Sequence, residues 1–255
     1  MNIPRLVAHR GYRKYFPENT LVAMEAAINA GACYVEFDIQ LCRDGIPVLS
    51  HDANLSRTAG IDRSVMDMTV EELDTVYVGE QSRFGDKFSE VKIPKLVDVV
   101  ELLKNNPQVK AFVEIKRASL KKFGVATVIA AVLKDIAAII DQCIIISFDK
   151  EALTTAREQG VNSLGWVFEP WNQDALVAAK ELAPNYLFTD YLLVPQIPEA
   201  FWQGSWQWVL YEINDPELAL NYSAQGIELI ETGAIGEMFD HPTLKRARCS
   251  ADRQI

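Results

Sequence analysis

Eight short apolar segments rich in β-branched residues alternate with segments of helical periodicity along the chain. This alternation is typical of repeated βα units, in which each helix returns the chain to the start of the next parallel strand. The predicted strands span residues 5–9, 34–41, 111–116, 143–148, 163–168, 186–190, 208–213 and 227–231. Predicted helices span residues 20–30, 96–105, 125–140, 151–159 and 216–225.

Eight βα units in 255 residues predict an α/β fold of the TIM (β/α)8 barrel type, which commonly occupies about 200–250 residues. We therefore expect residues 1–255 to form a single catalytic domain. Asp44-Gly45 is a hairpin signal, so residues 47–51 predict a β excursion after the second strand. Residues 53–94 are mostly polar and predict a small insertion, with a helix at 69–76 and a loop around 84–86. In a barrel such an insertion follows a strand end, where it forms part of the active-site wall.

The formal net charge of -10 argues against a nucleic-acid partner, because binding a phosphate backbone needs clustered Lys and Arg. The same charge constrains small ligands. A phosphate-bearing substrate meets a repulsive mean field, so its site must be made locally positive by a metal ion or by placed cations.

Neither a targeting segment nor a membrane span is predicted. The first ten residues lack the apolar run of a signal peptide, and the longest apolar run, residues 125–133, is well short of the roughly 20 residues of a span. Cys33, Cys42, Cys143 and Cys249 lie far apart with no C-x-x-C pair, which indicates neither a zinc site nor a disulfide framework. We expect free thiols in a cytoplasmic protein without a stable membrane anchor.

Residue types that carry chemistry are concentrated in the first quarter of the chain. Glu36 and Asp38 are two apart on a predicted strand, so their side chains point to the same face. If Val35 and Phe37 face the helices, both carboxylates face the barrel interior, where a divalent cation between them would offset their repulsion. Oxygen ligands of this kind suit Mg²⁺ or Ca²⁺. The alternative is a solvent-facing edge strand.

Glu114 and Lys116 share one face of the third barrel strand by the same rule. Glu114 is a candidate third metal ligand, and Lys116 is a candidate cation for a phosphoryl oxygen. A local ion pair within the barrel is the structural alternative.

His9 and His51 complete this group, together with Arg10. His9 ends the first strand, where catalytic residues of such barrels project, although a lone histidine there is more often a core or capping residue. Two imidazoles, a divalent metal and two cations, with no obvious protein nucleophile, indicate phosphodiester cleavage.

The ordered motifs resemble those of the glycerophosphodiester phosphodiesterase family. They cover roughly the first half of the chain, and several motifs in one order are more specific than any single one. The matching segments are His9-Arg10-Gly11, Pro17-Glu18-Asn19-Thr20, Ala30-Gly31-Ala32, Glu36-x-Asp38, Asp44-Gly45, His51-Asp52, Arg57-Thr58, Ile93-Pro94-x-Leu96 and Glu114-Ile115-Lys116. Weaker likenesses follow at Ser147-Phe148-Asp149 and at residues 211–215.

This resemblance implies a barrel with an inserted subdomain, Mg²⁺ or Ca²⁺ dependence, and a small-molecule glycerophosphodiester substrate cleaved to an alcohol and glycerol 3-phosphate. It implies that the substrate's own 2-hydroxyl attacks phosphorus and that water then opens a cyclic phosphate. By the same resemblance, His9 and His51 form the acid/base pair, Glu36, Asp38 and Glu114 hold the metal, and Arg10 and Lys116 contact the phosphate.

The last strand departs from the family pattern. Ile230-Glu231-Thr232-Gly233 stands where the resemblance leads us to expect Thr-Asp, so groups at the metal rim or the glycerol differ here. Phe148 and Trp208 lie at later strands and are candidates for the alcohol pocket, as is Trp166, although aromatic residues in barrels are more often core.

Other hypotheses make different demands on the sequence. A lysophospholipase D on the same barrel needs an apolar entrance, which residues 53–94 do not favour. A catalytically inert binding barrel would lack a histidine or a metal carboxylate, and none is missing. A zinc amidohydrolase needs several metal-binding histidines, but the third histidine, His241, precedes Pro242 near the end of the chain and is expected to be structural.

Overall fold

The computed structural model describes residues 3–195 and 201–249, so both ends of the predicted domain, 1–2 and 250–255, lie outside it. The described strands are β1 (Arg5–Ala8), β2 (Tyr34–Leu41), β3 (Pro47–Leu49), β4 (Lys110–Ile115), β5 (Cys143–Ser147), β6 (Leu164–Val167), β7 (Tyr186–Asp190), β8 (Gln207–Tyr211) and β9 (Leu229–Thr232). The described helices are α1 (Leu21–Ala30), α2 (Ser56–Ala59), α3 (Val70–Leu73), α4 (Gln81–Phe84), α5 (Leu96–Lys104), α6 (Arg117–Phe123), α7 (Val125–Ile136), α8 (Lys150–Glu158), α9 (Gln173–Leu182), α10 (Pro216–Ala224) and α11 (Ile235–Asp240). Short 3-10 helices occupy Val65–Asp67, Gly85–Phe88, Ala137–Gln142, Tyr191–Leu193 and Leu244–Ala247.

The parallel strands form a closed barrel in the order β1-β2-β4-β5-β6-β7-β8-β9, and β1 pairs with both β2 and β9 to close it. The fold is therefore the predicted TIM (β/α)8 barrel, with each predicted strand found within two residues of its expected bounds. The predicted β excursion is also confirmed, because β3 pairs antiparallel with β2.

Alternate residues of each barrel strand enter one of two apolar layers. An inner layer fills the barrel and includes Val7, Tyr34, Phe112 and Val209. An outer layer between strands and helices includes Val35 and the other residues of opposite parity. Both faces of the parallel strands are thus buried, which explains why they read as continuous apolar runs.

Polar residues at the strand-to-helix junctions begin several of the helices. Thr20, Asp149, Asn172 and Asp215 cap α1, α8, α9 and α10, each accepting a hydrogen bond from a backbone N–H of the first turn. Such caps satisfy amides that have no partner inside the helix. Since these junctions lie at the carboxyl ends of strands, the caps also fix the loops that carry the candidate site.

The insertion between β3 and α5 contains α2, α3 and α4 and packs around its own apolar cluster, which includes Leu55, Val65 and Leu73. Its α3 is shorter than the predicted helix at 69–76. The predicted loop around 84–86 is wrong, because α4 and a 3-10 helix occupy that stretch. Amphipathic patterns this short carry too little periodicity to be recognised from sequence.

Within the described ranges, no single helix has the length and apolar composition of a membrane span. The segments Arg117–Phe123 and Val125–Gln142 meet those criteria only when taken together, and they are bent by 115°.

The prediction of four free thiols is wrong for one pair. Cys33 and Cys249 form a disulfide with a Cα–Cα distance of 4.9 Å, whereas Cys42 and Cys143 are free and buried. The two cysteines are 216 residues apart, and they meet because the fold brings the two ends of the chain together. A local spacing pattern cannot predict such a contact. One argument for a reducing compartment is thereby removed.

We predict that reduction of this disulfide lowers the thermal unfolding temperature of the protein, because the cross-link restricts the unfolded chain over a long loop. The expected loss in unfolding free energy is roughly 2–5 kcal/mol. The measurement is calorimetry of the oxidised and reduced protein. Cys249→Ser is the matched control and should unfold at the same temperature with or without reductant. Equal unfolding temperatures for the oxidised and reduced wild-type protein would contradict the prediction.

Candidate active site

The predicted site residues converge at the carboxyl ends of the barrel strands. They share the parity of the inner apolar layer: His9 follows Val7, Glu36 and Asp38 follow Tyr34, and Glu114 follows Phe112. The side-chain alternation of β-strands therefore directs all of them into the barrel. Glu36 and Asp38 point into the barrel as predicted, and both are about 1% exposed.

The turn after β1 places Arg10 against three carboxylates. Arg10 has φ 54, and its backbone N–H donates to Glu36 Oε2 at 3.0 Å. Its guanidinium lies 3.0 Å from Glu18 Oε1 and 3.1 Å from Asp38 Oδ2. Gly11 follows with φ 78, and a Cβ there would lie 2.6 Å from the backbone of Ala23, so only glycine permits this close approach of α1.

Asp38 is the most heavily partnered acid of the site. Besides Arg10, it contacts Lys116 Nζ at 3.1 Å, and Asn19 Nδ2 donates to its Oδ2 at 2.8 Å. The Asn19 amide oxygen accepts from the Asp38 backbone N–H at 3.0 Å. Burial alone would raise the pKa of Asp38, but Lys116 and Arg10 outweigh it and hold the pKa well below its ordinary value. Asp38 is therefore ionised at neutral pH.

Lys116 forms ion pairs with one acid of β2 and one acid of β4. Its Nζ lies 2.7 Å from Glu114 Oε1 as well as near Asp38. Burial lowers the pKa of Lys116, yet the two carboxylates raise it above its ordinary value, so the side chain is charged. The predicted ion pair is therefore present, and Lys116 also lines the cavity, while its contact with a phosphate stays a prediction.

Glu36 contrasts with Asp38 because, among the described residues, no Lys or Arg side chain forms an ion pair with it. Its Oε1 is buried without a hydrogen-bond partner. Burial, followed by the charges of Asp38, Glu231 and Glu114, raises the pKa of Glu36. Glu36, Asp38 and Glu114 each offer an oxygen within 4.8 Å of the others, an all-oxygen donor set that suits Mg²⁺ or Ca²⁺.

His51 is oriented by a chain of charged groups. Its Nδ1 lies 2.7 Å from Asp52 Oδ1, and Arg57 Nε donates to Asp52 Oδ2 at 2.7 Å. Arg57 also donates to Glu18 Oε1 at 2.6 Å. A carboxylate at Nδ1 leaves Nε2 as the nitrogen available for proton transfer. Burial lowers the pKa of His51, which favours the neutral imidazole.

His9 lies between two further acids. Its Nδ1 is 3.4 Å from Glu212 Oε1, and its Nε2 is 3.4 Å from Glu231 Oε1 and 3.9 Å from Glu36 Oε2. Burial, reinforced by Arg10 and Arg13, lowers the pKa of His9 well below its ordinary value.

A cavity of about 140 Å³ opens over this cluster and brings the two histidines together with the two cations. Its polar lining comprises His9, Arg10, His51, Glu114, Lys116, Tyr211, Glu212 and Glu231. Phe148 is half-buried on the apolar side of the same cavity, with the Arg117 guanidinium 4.7 Å from its ring centre. No residue of 53–94 is among the lining residues, so the wall role of the insertion remains a prediction. The insertion reaches the site through Arg57.

Trp208 lies elsewhere, which corrects its expected place in the alcohol pocket. It belongs to the outer layer, where its ring stacks on Trp171 at a centroid distance of 5.2 Å. Trp166 is in the outer layer as well. Both have the opposite parity to inward-facing Val209 and Val167, so strand alternation was a signal that could have placed them.

Sequence reasoning assigned no role to several groups of the site. Glu231 and Tyr211 share the parity of inner residues Leu229 and Val209, and alternation could have located them. The contacts of Arg57 with Glu18 and Asp52 depend on how the insertion packs against the barrel, so no local sequence pattern could have predicted them.

The chain resembles known proteins over most of its length. The profile of the glycerophosphoryl diester phosphodiesterase family matches residues 9–201. A glycerophosphodiester phosphodiesterase of Caldanaerobacter subterraneus subsp. tengcongensis is 28% identical over 231 residues, which cover 87% of this chain and 92% of the relative.

Solved structures share the fold. A phosphodiesterase of Oleispira antarctica, in complex with the product sn-glycerol-3-phosphate, superposes with a TM-score of 0.82 at 24% identity over 93% of this chain and 96% of its own. A glycerophosphodiester phosphodiesterase of Thermotoga maritima superposes with a TM-score of 0.75 at 25% identity over 94% and 99%.

We predict that Lys116→Met lowers the unfolding free energy by about 3–5 kcal/mol, because it leaves buried Asp38 and Glu114 without their shared cation. The measurement is urea unfolding at neutral pH. Arg117→Met is the matched control: it removes an exposed cation 3.6 Å from Glu169, and should cost less than about 1 kcal/mol. Equal losses for the two variants would contradict the electrostatic role given to Lys116.

Proposed function

Because the chain belongs to the glycerophosphoryl diester phosphodiesterase family, we propose that it hydrolyses glycerophosphodiesters to an alcohol and glycerol 3-phosphate. The observation that carries this proposal is one cavity lined by two imidazoles and two cations, next to three clustered carboxylates. Phosphodiester hydrolysis needs an acid, a base and a concentration of positive charge at the phosphoryl oxygens.

Glu36, Asp38 and Glu114 would hold a divalent cation, for which Mg²⁺ and Ca²⁺ are the proposed ions. The ion would supply Lewis acidity toward the phosphoryl oxygens. The buried, unpartnered Oε1 of Glu36 supports this assignment. Arg10 and Lys116 line the same cavity and place two fixed positive charges beside the substrate phosphate, which offsets the net charge of the protein.

The first step makes a cyclic phosphate from the substrate itself. The oxygen of the glycerol 2-hydroxyl attacks phosphorus, and one imidazole takes the hydroxyl proton. The bond from phosphorus to the alcohol oxygen breaks, and the other imidazole gives that oxygen a proton. His9 and His51 both have lowered pKa values, which supplies the neutral form that a base requires. The negative phosphate nearby favours the protonated form of the second imidazole.

The second step reverses these roles. Water attacks phosphorus and gives its proton to the imidazole that acted as acid, while the bond to the 2-oxygen breaks and that oxygen is protonated by the other imidazole. The product is glycerol 3-phosphate. No side-chain nucleophile is required, in agreement with the residues that line the cavity. Phe148, on the apolar side, is the proposed contact for the departing alcohol.

The test of the proposed function is a substrate panel. Purified protein loaded with Mg²⁺ or Ca²⁺ should release glycerol 3-phosphate from at least one glycerophosphodiester, detected by coupled oxidation of that product. Chelation should stop the release, and restoring the ion should recover it. Failure on a broad panel by correctly folded, metal-loaded protein would reject the proposal.

We predict that His51→Ala lowers kcat by about 10²–10⁴-fold, the usual contribution of a positioned acid or base. Metal affinity and unfolding temperature should stay near those of the wild-type protein, because His51 is not a member of the cluster of Glu36, Asp38 and Glu114. Steady-state kinetics and calorimetry measure these properties. His241→Ala is the control, since His241 pairs with Glu217 away from the cavity, and it should keep full turnover. Near-normal turnover in His51→Ala would remove this residue from the mechanism.

We predict that Glu36→Gln weakens Mg²⁺ affinity by at least about tenfold, because an amide replaces an anionic oxygen donor. Isothermal titration of Mg²⁺ measures the change. Glu151→Gln, on the exposed first turn of α8, removes the same charge at a distance and should leave the affinity unchanged. An unaltered Mg²⁺ affinity in Glu36→Gln would exclude its ligand role.

A further inference from the structure

Strand β9 places the carboxyl group of Glu231 beside β1, and no role has so far been given to this residue. In the register of β1 with β9, Val7 lies opposite Glu231, and the His9 backbone N–H donates to Thr232 O at 2.9 Å. Both His9 and Glu231 point into the barrel, and they are 7% and 3% exposed. Glu36 reaches the same point from β2, on the other side of β1.

The three side chains present a compact donor set. His9 Nε2 lies 3.4 Å from Glu231 Oε1 and 3.9 Å from Glu36 Oε2, and ligand atoms of all three lie within 4.8 Å of one another. Such separations allow one ion to contact all three at about 2.0–2.2 Å. This group shares Glu36 with the all-oxygen cluster and has no other member in common with it.

Charge balance marks this side of the site as deficient in cations. Asp38 has Arg10 and Lys116, Glu114 has Lys116, and Glu18 has Arg10 and Arg57. Among the described residues, by contrast, the ionic contact of both Glu36 and Glu231 is His9 alone.

Glu36, the residue that the two clusters share, has a carboxylate oxygen without a partner. Glu36 Oε1 is fully buried within this cluster and makes no hydrogen bond, which is costly for a carboxylate oxygen. Glu231 belongs to the His9 cluster and not to the all-oxygen cluster, so only the His9 cluster would place an ion against its carboxyl group.

The remaining nitrogen of His9 completes a familiar arrangement of metal centres. Its Nδ1 lies 3.4 Å from Glu212 Oε1 without forming a hydrogen bond, and Glu212 is itself paired with Arg13. In metalloproteins, a ligating imidazole usually offers its second N–H to a carboxylate, which fixes the ring and raises its basicity. In His9, Nδ1 is likewise directed at a carboxylate, and Nε2 faces Glu36 and Glu231.

We propose that His9, Glu36 and Glu231 form a second cation site that binds a divalent transition ion, with Glu36 shared between this site and the all-oxygen site. One nitrogen and two oxygen donors favour Zn²⁺, Co²⁺ or Mn²⁺ over Mg²⁺ and Ca²⁺. An ion there takes the lone pair of His9 Nε2, so it also removes His9 from acid/base work. This consequence rests on the proposed function, whereas the site itself does not.

The test uses Co²⁺ as the probe, added to the full-length wild-type protein in saturating Mg²⁺ without substrate. Metal analysis after equilibrium dialysis should give one Co²⁺ and one Mg²⁺ per chain, and X-ray absorption at the cobalt edge should show one imidazole. Uptake of a single ion in total, or cobalt bound without imidazole, would overturn the proposal.

Variants locate the site. Glu231→Gln should weaken Co²⁺ binding by at least about tenfold, since it removes an anionic donor and preserves shape. The matched control, Glu228→Gln, changes the same residue type three positions earlier, where Glu228 accepts from the Trp208 backbone N–H, and should bind Co²⁺ as the wild type does. His9→Gln gives a second variant, which should lose the imidazole signal. Unchanged Co²⁺ affinity in Glu231→Gln would overturn the site.

The result is separable from the substrate panel. Glycerol 3-phosphate release with Mg²⁺ alone tests the proposed hydrolase, and Co²⁺ stoichiometry without substrate tests the second site. Either experiment can fail while the other succeeds.

Discussion

Closure of the parallel sheet into a barrel imposes the central constraint on this protein. Every second side chain of each strand enters one shared interior, so acids placed on separate strands must lie together. Four of them, Glu36, Asp38, Glu114 and Glu231, meet at the carboxyl end of the barrel. Buried like charges repel strongly, and Arg10 and Lys116 offset part of that repulsion at Asp38 and Glu114.

The acids of the site fall into two groups, those that are paired with Arg or Lys and those that are not. On one half, Arg10 and Lys116 lie against Asp38 and hold it ionised. On the other, burial raises the pKa values of Glu36 and Glu231, and among the described residues His9 is the only basic side chain within ion-pair distance of either. The paired half carries two fixed positive charges. The unpaired half carries buried carboxyl groups, so cationic and acidic groups lie on opposite sides of one small site.

The elements outside the barrel orient this site. Arg57, on α2 of the insertion, joins Asp52 to Glu18 and so couples His51 to the turn that carries Arg10. The helix caps at the strand ends fix neighbouring loops. The insertion thus acts on the imidazole through a charged relay of side chains, and its contribution is positional.

The sequence pattern by itself determined the eight strands and the inward face of Glu36, Asp38, Glu114 and Lys116. The residue types on that face determined the class of reaction that they support. These features follow from the period of two in a strand and from motifs a few residues long, which any single segment carries by itself. Tertiary structure alone decided that Cys33 meets Cys249, that Arg57 reaches Glu18, and that Glu231 faces His9. Each of these contacts joins distant segments, and their proximity comes from barrel closure and docking, which no local pattern encodes.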